Sequence, residues 1–177
     1  MSYTTLALLL LLSAIWGSSF LFIKIGVTEI GPITFSMLRV LIGSVVLLII
    51  VFTRRRTPVE RGVWKHLAFI GLFGTALPFA LIGWGTQFIS SGLSAILNAT
   101  TPLFAFIIAT ALGSEALCAT RAIGVAAGFG GIVVLMWPQL QGGQQASILG
   151  ELAVVAGSLC YAISATHMKR RLASSPP

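Results

Sequence analysis

The chain has 177 residues, of which 56% are hydrophobic and 8% are charged, with eleven Lys and Arg against four Asp and Glu. This composition leaves too little polar surface for a water-soluble globule, so it predicts an integral membrane protein. The net charge of +7 then indicates the topology of the membrane loops and contact with anionic lipid heads, and it disfavours a nucleic-acid-binding function.

Six continuous apolar runs predict an all-α protein with six transmembrane helices. A bilayer core of about 30 Å needs roughly 20 residues of helix. The uncharged stretch 67–114 is about twice that length, so we expect a turn inside it at residues 86–92, where polar and small residues interrupt the apolar pattern. The predicted spans are 5–23, 32–53, 67–87, 93–112, 119–137 and 148–168.

The basic residues predict the orientation of these six spans. The N-terminus, the second and fourth loops and the C-terminus share one side of the membrane, and nine of the eleven basic residues lie there. By the positive-inside rule both termini are predicted to be cytoplasmic, in a cell (inner or plasma) membrane. Lys24, after the first span, opposes this orientation locally, but five basic residues after the second span outweigh it. The nine residues are Arg54, Arg55, Arg56, Arg61, Lys65, Arg121, Lys169, Arg170 and Arg171.

The sequence offers little material for catalysis. It contains no Asp, and its four Glu residues fall in or beside predicted loops, which also disfavours a carboxylate proton relay. His66 and His167 lie at the ends of spans and are interpreted as interfacial anchors. We therefore expect no enzymatic activity, no cofactor and no metal site. The four acidic residues are Glu29, Glu60, Glu115 and Glu151.

Two basic residues lie in or near spans. Arg39 is about 10 Å below the outer start of the second span, where an ionisable side chain costs at least a few kcal/mol and usually faces a cavity or a partner. Two interpretations stay open: a wet cavity that attracts an anionic or zwitterionic solute, or pairing with free carbonyls at a helix break. Lys24 lies nearer the boundary and is expected to snorkel to the interface.

Two prolines within spans free backbone carbonyls. Pro78 frees the carbonyl of Gly74, and Pro102 frees that of Asn98. Irregular backbone at membrane depth is tolerated where protein or a water-filled cavity covers it, so Asn98 is a candidate cavity residue. A purely structural kink explains the same pattern equally well.

Aromatic and small residues add candidate contacts at helical spacing. Trp16 and Ser19 share one face of the first span, and Trp84 lies near the outer end of the third, where an interfacial aromatic belt explains it as well as a solute site does. Gly124 and Gly128 predict a packing seam on the fifth span. The candidate substrate-binding residues are Arg39, Asn98, Trp16, Ser19 and Trp84.

Four stretches resemble the EamA family of the drug/metabolite transporter superfamily. They are AIWGSSFLFIK at 14–24, the pair Leu38 and Arg39, the long segment 76–109, and Glu115 followed nine residues later by Gly124. Ser114 departs from the family, which usually has Gly directly before the Glu. The resemblance implies a carrier that moves small metabolites or drugs by alternating access, often outward, built from two five-helix repeats of opposite orientation.

The resemblance also implies a division of the chain. Residues 3–137 resemble the first repeat, and 138–177, with its helix at 148–168, resembles only the start of a second, incomplete repeat with a basic tail. The expectation is a truncated or partial form of a ten-helix carrier. Its partners would be a small-molecule solute, membrane lipids, and another transporter half or a second copy. The alternative is a non-transporting membrane subunit with a regulatory or assembly role.

Overall fold

The computed structural model describes residues 3–53, 61–115, 118–142 and 145–172, and the regular elements in these ranges are helices. The predicted all-α membrane fold is confirmed. Five helical runs are long and apolar enough to cross a membrane, and a shorter apolar run covers Ala119–Val134. Arg54, Arg55 and Arg56 of the predicted basic loop lie outside the described residues. The five runs are Tyr3–Ile30, Pro32–Thr53, Trp64–Thr86, Ser91–Ala111 and Ser147–Arg171.

The first two helices form a tight hairpin. Helix α1 (Tyr3–Ile30) and helix α2 (Pro32–Thr53) are separated by Gly31 alone, whose φ of +79° is the left-handed conformation that glycine adopts without strain. The bounds of the second span are confirmed. The end of the first, predicted at residue 23, is wrong, because the helix continues for two more turns and buries Val27, which is 1% exposed.

The third span is helical throughout, but it changes from an α-helix to a π-helix before Pro78. A short 3-10 turn (Arg61–Val63) leads into α3 (Trp64–Gly71), a π-helical segment (Leu72–Ala76) and α4 (Leu77–Thr86). A proline ring clashes with the carbonyl four residues earlier in a regular helix. The wider π-helical turn precedes Pro78, which then lies in the first turn of α4, so the chain accommodates the ring without leaving the helix.

The predicted turn at 86–92 and the break at Pro102 are both present. Helix α4 ends at Thr86, and α5 (Ser91–Asn98) begins after Ser90, whose Oγ accepts a hydrogen bond from the Leu93 N–H at 3.2 Å. Helix α6 (Thr101–Ala111) follows after a two-residue turn and carries Pro102 in its first turn. The fourth span is therefore two half-helices.

The last two helices follow a capped turn. Helix α6 ends in a Schellman motif in which Ser114 N–H donates to Ala109 O at 2.8 Å and Gly113 N–H donates to Thr110 O at 2.9 Å. Gly113 takes the left-handed conformation, with φ +68°. The next position, where the EamA family usually has glycine, does not take a positive φ and therefore accommodates Ser114. Helices α7 (Ala119–Gly142) and α8 (Gln145–Arg171) complete the chain.

Helix α8 is the centre of the described bundle and packs most extensively against α4 and α6. Its closest approach to α4 is at two glycines: a Cβ on Gly85 would overlap the carbonyl oxygen of Gly150, and a Cβ on Gly150 would lie 2.8 Å from the carbonyl oxygen of Gly85. The backbones of α4 and α8 therefore pack directly against each other at these two glycines.

The predicted packing seam on α7 is only half right. Gly128 packs against Leu103, but Gly124 has open space around its Cα.

Three side-chain contacts join the helix ends that are predicted to be cytoplasmic. Glu115 forms ion pairs with Arg121 at 3.4 Å and Lys169 at 3.5 Å. On the neighbouring elements, His66 Nδ1 of α3 lies 3.0 Å from His167 Nε2 of α8, so the two histidines contact each other, and their role as interfacial anchors stays a prediction. These contacts place the start of α3, the α6–α7 turn and the end of α8 at one end of the bundle. Which side of the membrane that end faces stays a prediction.

Candidate solute-binding site

Arg39 lies on α2 with its guanidinium against aromatic rings. Its Cζ is 4.5 Å from the centre of the Phe79 ring and 5.8 Å from that of Phe35, and Tyr161 of α8 is near enough to interact with it electrostatically. Within the described residues the guanidinium makes no hydrogen bond and no ion pair. The interpretation in which Arg39 binds free carbonyls is therefore not what the structure shows, and its donors are available to another group.

Asn98 is the last residue of α5, at the break between the two half-helices. The carbonyl that Pro102 frees accepts a hydrogen bond from Thr101 Oγ1 at 2.8 Å, so it is satisfied locally. The side-chain oxygen of Asn98 lies 3.2 Å from Ser158 Oγ of α8, whose one hydrogen it shares with Val154 O at 3.1 Å and Leu97 O at 3.3 Å. Its amide nitrogen makes no hydrogen bond to the described residues and can still donate.

Helix α8 brings Arg39 and Asn98 toward a common face. Their neighbours on α8, Tyr161 and Ser158, are three residues apart, which is about 4.5 Å along the axis and nearly one turn. Ser158 is also the midpoint of α8, so this polar group lies near the middle of the bundle. Sequence reasoning missed both α8 residues, although the spacing of Ser147, Glu151 and Ser158 at four and seven residues is a helical period of polar side chains.

The other three candidates lie nearer the surface of the described bundle. Trp16 is 66% exposed on α1, and Ser19, one turn further along, is partly exposed. Trp84 is 39% exposed and packs edge-to-face against Phe88 at 4.9 Å between ring centres. None of them closes a cavity around Arg39 in the described part of the chain, and their contribution to a solute site stays a prediction.

An open groove of about 610 Å³ lies between α2 and the π-helical segment with α4. Its walls are mainly apolar and include Met37, Leu41, Phe79 and Ala80, whereas Arg39 does not line it. Phe79 borders both the groove and the guanidinium. The polar residues around Arg39 therefore lie beside this apolar groove rather than within it.

Lys24 has a structural role that sequence reasoning missed. Its ammonium donates to the carbonyl oxygens of Thr86 at 2.8 Å, Gln87 at 2.9 Å and Ile89 at 2.9 Å, so it holds the α4–α5 turn, and its position at the membrane interface stays a prediction. A cation at the C-terminal end of α4 also interacts favourably with the helix dipole. The partners lie more than sixty residues away in sequence, and no local pattern indicates them.

The hydrogen bond between Asn98 and Ser158 can be measured directly by a double-mutant cycle. We expect Asn98→Ala and Ser158→Ala to show a coupling of about 0.5–1.5 kcal/mol in the free energy of unfolding, measured by denaturation in mixed micelles. Ser18, whose hydroxyl bonds only to Ile15 O of its own helix, supplies the control: Asn98→Ala and Ser18→Ala should be additive. Additivity of Asn98→Ala with Ser158→Ala as well would mean that the α5–α8 contact does not contribute.

The sequence profile of the EamA-like transporter family matches residues 4–137. Among curated proteins, the chain is 27% identical over 156 residues to the uncharacterized transporter YoaV of Bacillus subtilis, covering 88% of the chain and 53% of that protein. It is 28% identical over 161 residues to the uncharacterized inner membrane transporter YedA of Escherichia coli, covering 88% and 50%. Protein PagO of Salmonella typhimurium is 25% identical over 167 residues, covering 93% and 54%. No solved structure gives a significant match.

The chain belongs to the EamA-like transporter family, as its resemblance predicted, and is a multi-pass membrane protein. The description of the family and the printed names of YoaV and YedA are those of transporters. The chain spans about half the length of the curated relatives it matches.

Proposed function

We propose that these helices form one half of the solute pathway of an alternating-access carrier that exports small metabolites or drugs across the inner or plasma membrane, with both termini in the cytoplasm. The family match and the names of the relatives support a transporter in a membrane. The coverage of about half of each relative supports one half of a pathway, which further helices or a second copy would complete.

The observation that carries the proposal is the unpaired guanidinium of Arg39. An ionised group inside a membrane protein is retained where it faces a cavity or binds a partner, and no described residue pairs with it. The Phe79 ring holds one face of the guanidinium while its N–H groups stay free to bind a carboxylate or phosphate of a solute. The position near the middle of α8 agrees with solute sites near the bilayer midplane in carriers of repeated architecture.

The breaks beside this group support the same proposal. Solute and ion sites in carriers are commonly built where helices are interrupted, because the interrupted backbone offers groups that a continuous helix hides. The α5–α6 break lies at Asn98, and the π-helical segment ends three residues before Phe79. Arg39 and Asn98 therefore act together in the proposed site, one as the anion-binding group and the other as a neutral donor.

The test compares transport with the amount of folded protein. Cells expressing the chain, or a full-length homologue with the same motifs, are profiled for extracellular amino acids and organic anions. Arg39→Ala should reduce the exported amount per folded protein by roughly 10-fold or more, since a hydrogen bond to a charged group contributes about 1.5–3 kcal/mol. Asn98→Ala should reduce it less.

Arg39→Lys keeps the charge but not the planar guanidinium, and is expected to retain part of the transport. Val45→Ala, 47% exposed and about 120° around the same helix from Arg39, is the control and should leave transport per folded protein unchanged. If Arg39→Ala and Asn98→Ala lost transport and folded protein in equal proportion, these residues would be packing contacts. A complete absence of export by wild-type protein would favour a non-transporting subunit.

A further inference from the structure

The side chain of Glu151 is fully buried in the bundle, with no exposed surface. It lies in the second turn of α8, two turns before Ser158 on the same face. Its Oε1 accepts one long hydrogen bond, from Ser147 Oγ at 3.4 Å, and its buried Oε2 has no hydrogen-bond partner among the described residues. The sequence-based placement of this glutamate in or beside a loop is wrong.

No cation neutralises Glu151 within the described part of the chain. The neighbouring α4, α5 and α6 come from the uncharged stretch 67–114. On α1, Lys24 donates to three carbonyls of the α4–α5 turn and makes no ion pair with Glu151, and Glu29 is exposed. On α2, Arg39 lies against Phe79, and on α7 Arg121 pairs with Glu115 at the opposite end of the bundle.

The Glu151 side chain has no water-accessible surface, and the helix that carries it is closely packed at the preceding residue. The backbones of α8 and α4 meet at Gly150 and Gly85, and side chains of Phe88 and Ile89 cover Gly150. An unpaired carboxylate in such a place is strongly unfavourable, whereas a neutral carboxylic acid leaves only one weakly unsatisfied hydroxyl. The stable form of the closed bundle is therefore the acid.

We propose that Glu151 is a proton-binding site that holds a proton while α8 is packed against α4 and releases it when this packing opens and water reaches the carboxyl. On opening, the acid transfers its proton to water and yields a carboxylate and hydronium; on closing, hydronium returns the proton and leaves water. No other bond changes. This site supplies the membrane carboxyl that the sequence-based argument against a proton relay did not recognise. A role in driving transport rests on the proposed function, but proton binding does not.

The chain allows an unusually clean spectroscopic test, because it has no Asp and only four Glu. The triple variant Glu29→Gln/Glu60→Gln/Glu115→Gln keeps Glu151 as the only acidic side chain. Infrared spectra of the full chain in dodecyl maltoside micelles, a detergent with no ester or carboxyl group, should show the carbonyl stretch of a protonated carboxylic acid at neutral pH, in wild type and in the triple variant. Its absence from both would overturn the proposal.

Glu151→Gln should abolish that band, while Glu29→Gln, at an exposed position, should not. A band that persisted in Glu151→Gln would belong to another carboxyl and would also refute the site. If Glu151→Gln did not fold, the triple variant would still decide. Because ionisation of the buried acid opposes folding, wild type should also lose stability relative to Glu151→Gln as the pH is raised from acid to alkaline.

The link to transport is tested separately in vesicles that contain a pH-sensitive dye and a mixture of the twenty amino acids. Wild type should show amino-acid-dependent proton movement that Glu151→Gln lacks. Equal proton movement in both proteins would refute the coupling role. If wild type moved neither amino acids nor protons, coupling would be refuted and the proposed function would lose support, and the infrared band would still establish or refute proton binding by itself.

Discussion

Replacing Gly85 with leucine should cost about 3 kcal/mol or more in stability, because the α4–α8 seam has no space for a side chain. The new Cβ would meet the carbonyl oxygen of Gly150 and the side chain of Val154 at 3.0 Å. A carbonyl of a packed helix cannot move away as a flexible side chain can, so the helices must separate. Fluorescence-detected size-exclusion after heating should show a large fall in the melting temperature.

The control for this prediction is Gly124→Leu on α7, where nothing lies within 4 Å of the position of the new Cβ. That variant should keep wild-type stability or gain slightly, since leucine is the better helix former. If Gly85→Leu were as stable as Gly124→Leu, then α8 would not pack against α4 as described. The described arrangement of Arg39 and Asn98 around α8 would then also be wrong.

Replacing Lys24 with methionine should also destabilise the bundle, by about 3 kcal/mol. The substitution keeps the length of the side chain but leaves the carbonyls of Thr86, Gln87 and Ile89 without their donor. Lys24→Arg keeps the charge but replaces the ammonium with a planar group, and should be intermediate. Resistance to denaturation in mixed micelles measures the difference.

Thr28→Val is the matched control on the same helix, because the Thr28 hydroxyl is exposed and bonds only to carbonyls of its own helix. It should be nearly neutral. A Lys24→Met variant as stable as Thr28→Val would show that the α4–α5 turn does not depend on the ammonium. Snorkelling to the interface, as the sequence predicts, would then be the only role of Lys24.

Apolar run length predicted the existence of the spans, and local chemistry predicted their breaks. The turn after Thr86 and the interruption at Pro102 follow from polar residues and a missing N–H, which act within a few residues. The end of α1 was mispredicted because Lys24 resembles an interfacial residue. Its true partners, the carbonyls of the α4–α5 turn, are set by tertiary packing.

The candidate site could be predicted in part, because the chemistry of single residues also indicates some of its members. The cost of an ionised group in a membrane drew attention to Arg39, and Pro102 drew attention to Asn98. Their α8 neighbours Tyr161 and Ser158 are reached only by folding, since Ser158 lies sixty residues from Asn98 along the chain. Glu151 was missed because it lies close to the predicted start of the span, although the structure buries it fully.

Cysteine accessibility tests most directly whether Arg39 borders a water-filled solute cavity rather than lipid. Cys118 and Cys160 are first replaced with serine, since both are free thiols. Arg39→Cys and the control Val45→Cys, at a position 47% exposed and about 120° around α2 from Arg39, are then treated with a charged, membrane-impermeant thiol reagent. Thiolate formation and access of the reagent both require water. We predict rapid labelling of Arg39→Cys and almost none of Val45→Cys; equally slow labelling of the two would contradict the cavity.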